Sequence, residues 1–270
     1  MSLLTFSLRE APAQRLDLSP LIAQNLAGKT VAEIERIEVG TTRIRVSAGD
    51  IFRVHDGDHD SILIEGGAER FDRVGMGMSV GSIHVEGQVG VEAGRRMSGG
   101  ALTIAGDAGP LAGSGMKGGT LDIKGNAAER LGGPLSGETV GMSGGVLHVR
   151  GDAGARAGDR LRRGFILIEG RAGAYAGSRM IAGTLAIGDE AGDLPGYLMS
   201  RGTIFLGRGA TLVSPTFGDC GDHDLVAARL LASYIAQFSA TLASLFRQPL
   251  RRLAGDLAAL GKGEILLPSR

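Results

Sequence analysis

The chain repeats itself, and the period leaves few folds open to it. Seven glycines, Gly81, Gly100, Gly119, Gly145, Gly164, Gly183 and Gly202, each precede a short apolar alternation, and successive ones stand 19, 19, 26, 19, 19 and 19 residues apart. The one long step carries seven extra residues within ERLGGPLSGETVG, residues 129–141. A slightly longer copy starts near Asp60, with Ile62, Ile64 and Gly66. The third and fifth positions of the units hold Ile83/Val85, Leu102/Ile104, Leu121/Ile123, Leu147/Val149, Ile166/Ile168 and Leu185/Ile187. Apolar residues two apart over about five positions predict a half-buried strand rather than a helix. Three residues before each glycine stands Met78, Met97, Met116, Met142, Leu161, Met180 or Met199, so six of the eight methionines share one column.

A 19-residue unit with one firm strand cannot bury its own apolar face, but stacked copies can. Like residues then lie about 4.8 Å apart, the spacing of hydrogen-bonded strands, and seven to eight coils make a rod of about 35 Å. The spacing therefore predicts a mainly β chain wound as a parallel β-helix, with the methionines as an inward ladder; handedness does not follow from it. Glycine, 46 of 270 residues, belongs at the turns and wherever stacked backbone leaves no room for a side chain. Aromatics make up only 4 % and tryptophan is absent, which excludes a core of large side chains, while 43 % hydrophobic content excludes disorder.

Other bulk properties narrow the function classes. Lysine plus arginine equals aspartate plus glutamate, 29 each, so charge does not point to nucleic acid or an anionic membrane. A single cysteine, Cys220, fits a reducing compartment. MSLLTFSLRE has no basic stretch followed by an apolar run, so no secretory signal is expected. The most apolar segment, residues 225–246, carries Arg229 and Gln237 and is a poor membrane span. A cytoplasmic protein is expected.

Three parts are delimited: a β-rich N-terminal cap at 1–58, the repeat domain at 59–210, and a helical C-terminal segment at 211–270. In the cap, LTFSLRE, ERIEV, TRIRVSA and IFRVHDG read as strands and SPLIAQNLAGKTVAEIER as a helical or irregular connection. After TLVSPTF, a helix is predicted with Asp222 or Asp224 as its cap and Leu225, Val226, Leu230, Leu231, Tyr234, Ile235, Phe238, Leu242 and Leu245 on a broad apolar face. PLRRLAGDLAALG reads as a second helix and EILLP as a short strand. The helices could fold back along the repeat or dock on another subunit.

Chemistry is sparse. HDGDHD, His55–Asp60, has metal-ligand residue types without zinc or EF-hand spacing, and a solvated turn explains it. DCGDHD, Asp219–Asp224, reads as a polar helix N-terminus. GMGMSVG, Gly75–Gly81, resembles a phosphate loop only because every unit is glycine-rich. Position four of the units runs His84, Thr103, Asp122, His148, Leu167, Ala186, and position six runs Glu86, Ala105, Lys124, Arg150, Glu169, Gly188. Neither column holds a carboxylate pair on adjacent coils. No catalytic, cofactor or metal residue is assigned. One column is biased: Arg96, Arg160 and Arg179 share a position, with Arg95, Arg162, Arg163 and Arg201 close by. These arginines are candidate contacts for an acidic partner surface or a polyanion.

The coils, the segment NLAGKTVAEIERIEV before them and the closing RRLAGDLAALGKGEILLP together resemble the C subunits of formylmethanofuran dehydrogenases, and most closely their counterparts in bacterial formyltransferase/hydrolase complexes. The repeat alone is similar to the C-terminal domain of the glutamate synthase large subunit. The resemblance implies a right-handed β-helix and a non-catalytic scaffold whose sister subunits transfer and hydrolyse the formyl group. Those subunits would carry an amidohydrolase-like metal site and use a methanofuran-type carrier and tetrahydromethanopterin, in the oxidation of formaldehyde to formate. It also implies an acidic carrier tail as a partner for the arginines. The C subunit of a tungsten or molybdenum dehydrogenase, a stand-alone β-helix enzyme or carbohydrate binder, and an isolated glutamate-synthase-type domain stay open as alternatives.

Overall fold

A computed structural model describes residues 2–269. Each alternating segment forms one strand: Ser82–Val85, Ala101–Ile104, Thr120–Ile123, Val146–Val149, Phe165–Ile168, Thr184–Ile187 and Arg201–Leu206. Every strand pairs in parallel with the same positions of the next repeat, so Ile83, Leu102, Leu121, Leu147, Ile166, Leu185 and Ile204 form one unbroken row. The seven-residue insertion leaves this register intact, because Leu121 still faces Leu147. Single bridges through Val89, Ala108, Ala127, Ala153, Ala172 and Ala191 make a second parallel ladder on another side of the repeat. The result is one large, mostly parallel sheet of 13 strands.

The interior follows from the spacing. Met78, Met97, Met116, Met142, Leu161, Met180 and Met199 are completely buried, as are Leu102, Ile104, Leu121 and Ile123. The anchor glycines show why no larger residue stands there. At Gly119, with φ of 79°, a Cβ would lie 2.6 Å from the carbonyl oxygen of Gly100 and 2.7 Å from the Met97 methyl. Glycine does not supply all the left-handed turns, however. Arg73, Glu92, Leu111, Arg130, Arg156, Tyr175 and Leu194 form a column with positive φ, and Arg96, Arg160, Arg179 and Leu198 belong to a second. A residue with a Cβ in this region costs roughly 1–2 kcal/mol, so the stacking of the turns overrides a local preference.

At the N-terminal end, Leu3–Leu8 lies parallel to Asp58–Glu65, and Phe52–His55 lies antiparallel on its other side. Phe6, Phe52 and Phe71 plug this end, with ring centroids 5.7 and 5.5 Å apart along the trio. Short helices at Ala23–Leu26, Val31–Glu35 and Ala48–Ile51 connect the strands, the second held by a reciprocal Thr30/Glu33 cap. The strands expected at 35–39 and 42–48 are not formed. Only the isolated bridges Glu38–Ser47 and Leu16–Gly40 occur there. Phe52–His55 already occupies the sheet edge, so the alternation of Arg43, Ile44 and Arg45 has no neighbour and stays exposed.

The C-terminal end departs further from expectation. The stretch expected as a second helix is the strand Leu250–Gly255 followed by a turn, and it pairs antiparallel with the strand Lys262–Pro268. The latter lies parallel to Arg201–Leu206, with Ile265 opposite Ile204. The open edge of the last repeat supplies hydrogen bonds that helix propensity cannot match. Gly218–His223 then pairs with Leu250–Gly255 as the outermost strand. Residues 219–224 are thus mainly an exposed edge strand, not a helix N-terminus. The helix Val226–Ile235 begins after Leu225 without a side-chain cap, and Asp224 instead pairs with Arg229 at 3.2 Å.

This helix and a second, Ala240–Leu245, fold back onto the outer face of the sheet. Ala228, Ala232, Ile235, Leu242, Ala243 and Phe246 cover Val146, Leu167, Ala186 and Phe205. A Cβ on Gly188 or Gly207 would meet the preceding repeat's carbonyl oxygen at 2.3 or 2.0 Å, and the glycines also leave room for Leu242 and Leu245, which it would approach to 3.0 Å. No helix among the described residues is long and apolar enough to cross a membrane.

Candidate functional site

The seven arginines singled out from the sequence divide into two groups. The insertion loop places Glu138 against the turns, where its carboxylate accepts from Arg95 at 2.8 Å and Arg96 at 2.9 Å. Its backbone carbonyl accepts from Arg160 at 2.7 Å. Burial alone would raise the Glu138 pKa, but the Leu135 N–H and the two guanidinium groups outweigh it and hold the carboxyl below its usual value. Arg95 itself is buried and also lies 3.6 Å from Glu92. Arg179 forks onto Asp159 at 2.7 and 3.0 Å, and Ser178 donates to the same carboxylate at 2.8 Å. These four arginines therefore stitch repeats together.

Arg162, Arg163 and Arg201 are exposed and make no ion pair among the described residues. Arg162 and Arg163 line, with Ser143, a cleft of about 220 Å³. Ser143 is shared with a neighbouring cleft of about 470 Å³ that also holds Arg96, Lys117 and Glu138. Glu138, the hub of the paired group, escapes the repeat alignment because it belongs to the insertion, the one segment with no counterpart in other units.

On the outer face, the sheet brings together residues that separate columns do not pair. His148 Nε2 is 2.9 Å from Glu169 Oε1, and Nδ1 is 3.6 Å from Asp122 Oδ1. Arg150 lies 3.6 Å from the same Asp122 oxygen, and Lys124 forms an ion pair with the other oxygen of that carboxylate. Burial, helped by Arg150, lowers the His148 pKa against the pull of Glu169 and Asp122, so the imidazole is neutral at pH 7. Among the described residues Glu169 is the only hydrogen-bond partner of the ring, and each carboxylate has its own cation. The cluster sits at the edge of the area covered by the helices and has the composition of a polar seam.

The two acidic motifs do not converge on a centre. His59 lies 3.7 Å from Asp56, and Asp219 is bonded to Arg251, which holds its carboxyl at about 2. His223 Nε2 meets the backbone carbonyl of Cys220 at 3.0 Å. Among the described residues no three His, Cys, Asp or Glu side chains are grouped to hold a metal ion. One aromatic cleft has no signature in the repeat pattern. Tyr175 and Tyr197, 22 residues apart, meet edge to face at 5.8 Å in a cleft of about 450 Å³ lined also by Arg156, Ser178 and Arg179.

No family model matches the chain. A curated relative does: the chain is 56 % identical over 265 residues to the C subunit of the formyltransferase/hydrolase complex Fhc of Methylorubrum extorquens, covering 98 % of this chain and 99 % of that one. Its fold is similar to a chain in the crystal structure of the formyltransferase/hydrolase complex FhcABCD from the same organism in complex with methylofuran. That match has a TM-score of 0.95 and 45 % identity, over 98 % of this chain and 100 % of that chain.

Proposed function

The chain belongs to the family of C subunits of formyltransferase/hydrolase complexes, and on that premise we propose that it is the non-catalytic scaffold of such a complex. Sister subunits would transfer the formyl group between carriers of the tetrahydromethanopterin and methanofuran kind and hydrolyse it, in formaldehyde oxidation to formate. The observation that carries the reading is likeness from end to end with a chain named as part of that complex. The solved FhcABCD complex is in complex with methylofuran, which supports a carrier of that chemical kind. We read the two parallel ladders as a right-handed parallel β-helix of seven to eight coils, working in the cytoplasm without a cofactor of its own. In this reading the exposed Arg162, Arg163 and Arg201 offer charge to an acidic partner or carrier tail.

Coexpression with the sister subunits tests the proposal. The expected result is a complex of fixed ratio that transfers and hydrolyses formyl groups, with this chain alone inactive on formylated carrier. Activity of the isolated chain, or its recovery from the coexpression with no sister subunit attached, overturns it.

A further inference from the structure

Arg156 lacks the carboxylate partner that several other turn arginines have. Arg73, at the same left-handed turn position, reaches Asp17 at 2.8 Å and Glu92 at 3.3 Å. Arg95, Arg96 and Arg179 likewise have carboxylates. Arg156 is half-buried, yet its guanidinium has no ion pair and no hydrogen bond among the described residues. It lies 5.3 Å from the centre of the Tyr175 ring. Arg130, one repeat earlier in the column, also lacks a side-chain partner among the described residues. Two cations thus follow one another on backbones about 4.8 Å apart, with no internal anion between them. A guanidinium partly removed from water and stacked on an aromatic ring keeps all its N–H groups free for a planar carboxylate.

The surroundings fit a protein rather than a small solute. Two of the chain's three tyrosines form the wall beside Arg156, and Tyr197 is 41 % exposed. Leu194 and Leu198 also line the cleft, and Leu212, 53 % exposed, stands beside it, its carbonyl accepting from the Leu194 N–H at 2.7 Å. Tyrosine and arginine around a concave centre with an apolar margin are the composition of interface anchors. We propose that this cleft docks a segment of a sister subunit that inserts an acidic side chain against Arg156 and lays an apolar neighbour on Tyr197 and Leu212. The inference rests on the reading of the chain as part of a complex given above.

The test coexpresses the tagged full chain with all its sister subunits and measures their retention. Wild type and R36E, altered on the exposed surface of the cap, should retain all sisters. R156E should lose one sister about 30-fold or more, Y197A about 10-fold, and R156K less than R156E, since lysine keeps charge but not the fork. Melting of each chain alone should match wild type, and should R156E fail to fold, R156Q and Y197A decide. If wild type assembles and R156E and Y197A retain every sister equally, the inference falls while the scaffold reading stands. Failure of wild type to assemble overturns both. Loss of a bound small acidic molecule from an intact complex assigns the cleft to that ligand and overturns the docking proposal.

Discussion

One sheet carries two different outer faces. In the early repeats position four holds His84, Thr103 and Asp122, and position six holds Glu86, Ala105 and Lys124, all exposed or half-buried. In the late repeats the same positions hold Leu167, Ala186 and Phe205, then Gly188 and Gly207, under the two C-terminal helices. The inner face shows no such change: aliphatic pairs and the methionine column run through both halves, all buried. The inward side is governed by the stack, which every repeat shares. The outward side is governed by whether something lies on it. His148, between Asp122 and Glu169, marks the seam where the covered half ends.

The largest effects should come from breaking the covered face. Phe205→Ala removes a ring packed 3.8 Å from the Phe246 centroid and should cost about 3–5 kcal/mol in denaturant unfolding. Thr103→Ala, at the same position in the open half, should stay within about 0.5 kcal/mol. Equal costs would mean that the helices add nothing to the late repeats. Inner substitutions sharpen the contrast. Met97→Ala and Met180→Ala lie in opposite halves and should each cost about 2–5 kcal/mol, differing little from each other. A large difference would show that the two halves are not equivalent inside either.

Position six gives a smaller effect. Gly188→Ala brings a methyl against Leu242 and the Glu169 backbone and should cost about 1–3 kcal/mol, read as earlier proteolysis within 225–246. Ala105→Gly should leave that segment as resistant as in wild type. The seam is tested by pH. A folded pKa held below the unfolded value means that His148 stabilises the fold above the unfolded pKa, near 6.5, and that this contribution disappears as pH falls through the folded value. His148→Leu should therefore flatten the loss of stability on acidification below about pH 6.5. An unchanged slope would place the imidazole's environment closer to water than its burial indicates. The smallest change is at a turn. Arg130→Gly relieves a left-handed residue at φ of 58° that has no ion pair among the described residues, and should raise the stability of the isolated chain by about 0.5 kcal/mol.

The repeat is readable because its ladder contacts are written as a fixed offset: Leu102 meets Leu121 for the same reason that it meets Ile83. The arginine column is readable as a column, but its partners are not. Arg95 and Arg96 find Glu138 in the insertion, 43 and 42 residues away, where no period points. The positive φ of Arg96 and Arg160 is equally hidden, since glycine alone advertises such a turn. The tyrosine cleft depends on Tyr197 standing near, but not at, the next copy of Tyr175, an offset that column alignment passes over.

Pattern alone determined the strands at every repeat, the inward methionines and the general place of the insertion, because each depends on neighbours one period away. Tertiary structure decided the ends and the outer face. Leu250–Gly255 became a strand because Lys262–Pro268 had joined the open edge of Arg201–Leu206, about 60 residues earlier in the chain. Leu167, Ala186 and Phe205 are buried because helices beyond residue 225 return to them. Hydrogen bonds offered by an open edge and apolar area offered by an uncovered face exist only once the stack is built, and no local stretch of sequence carries either.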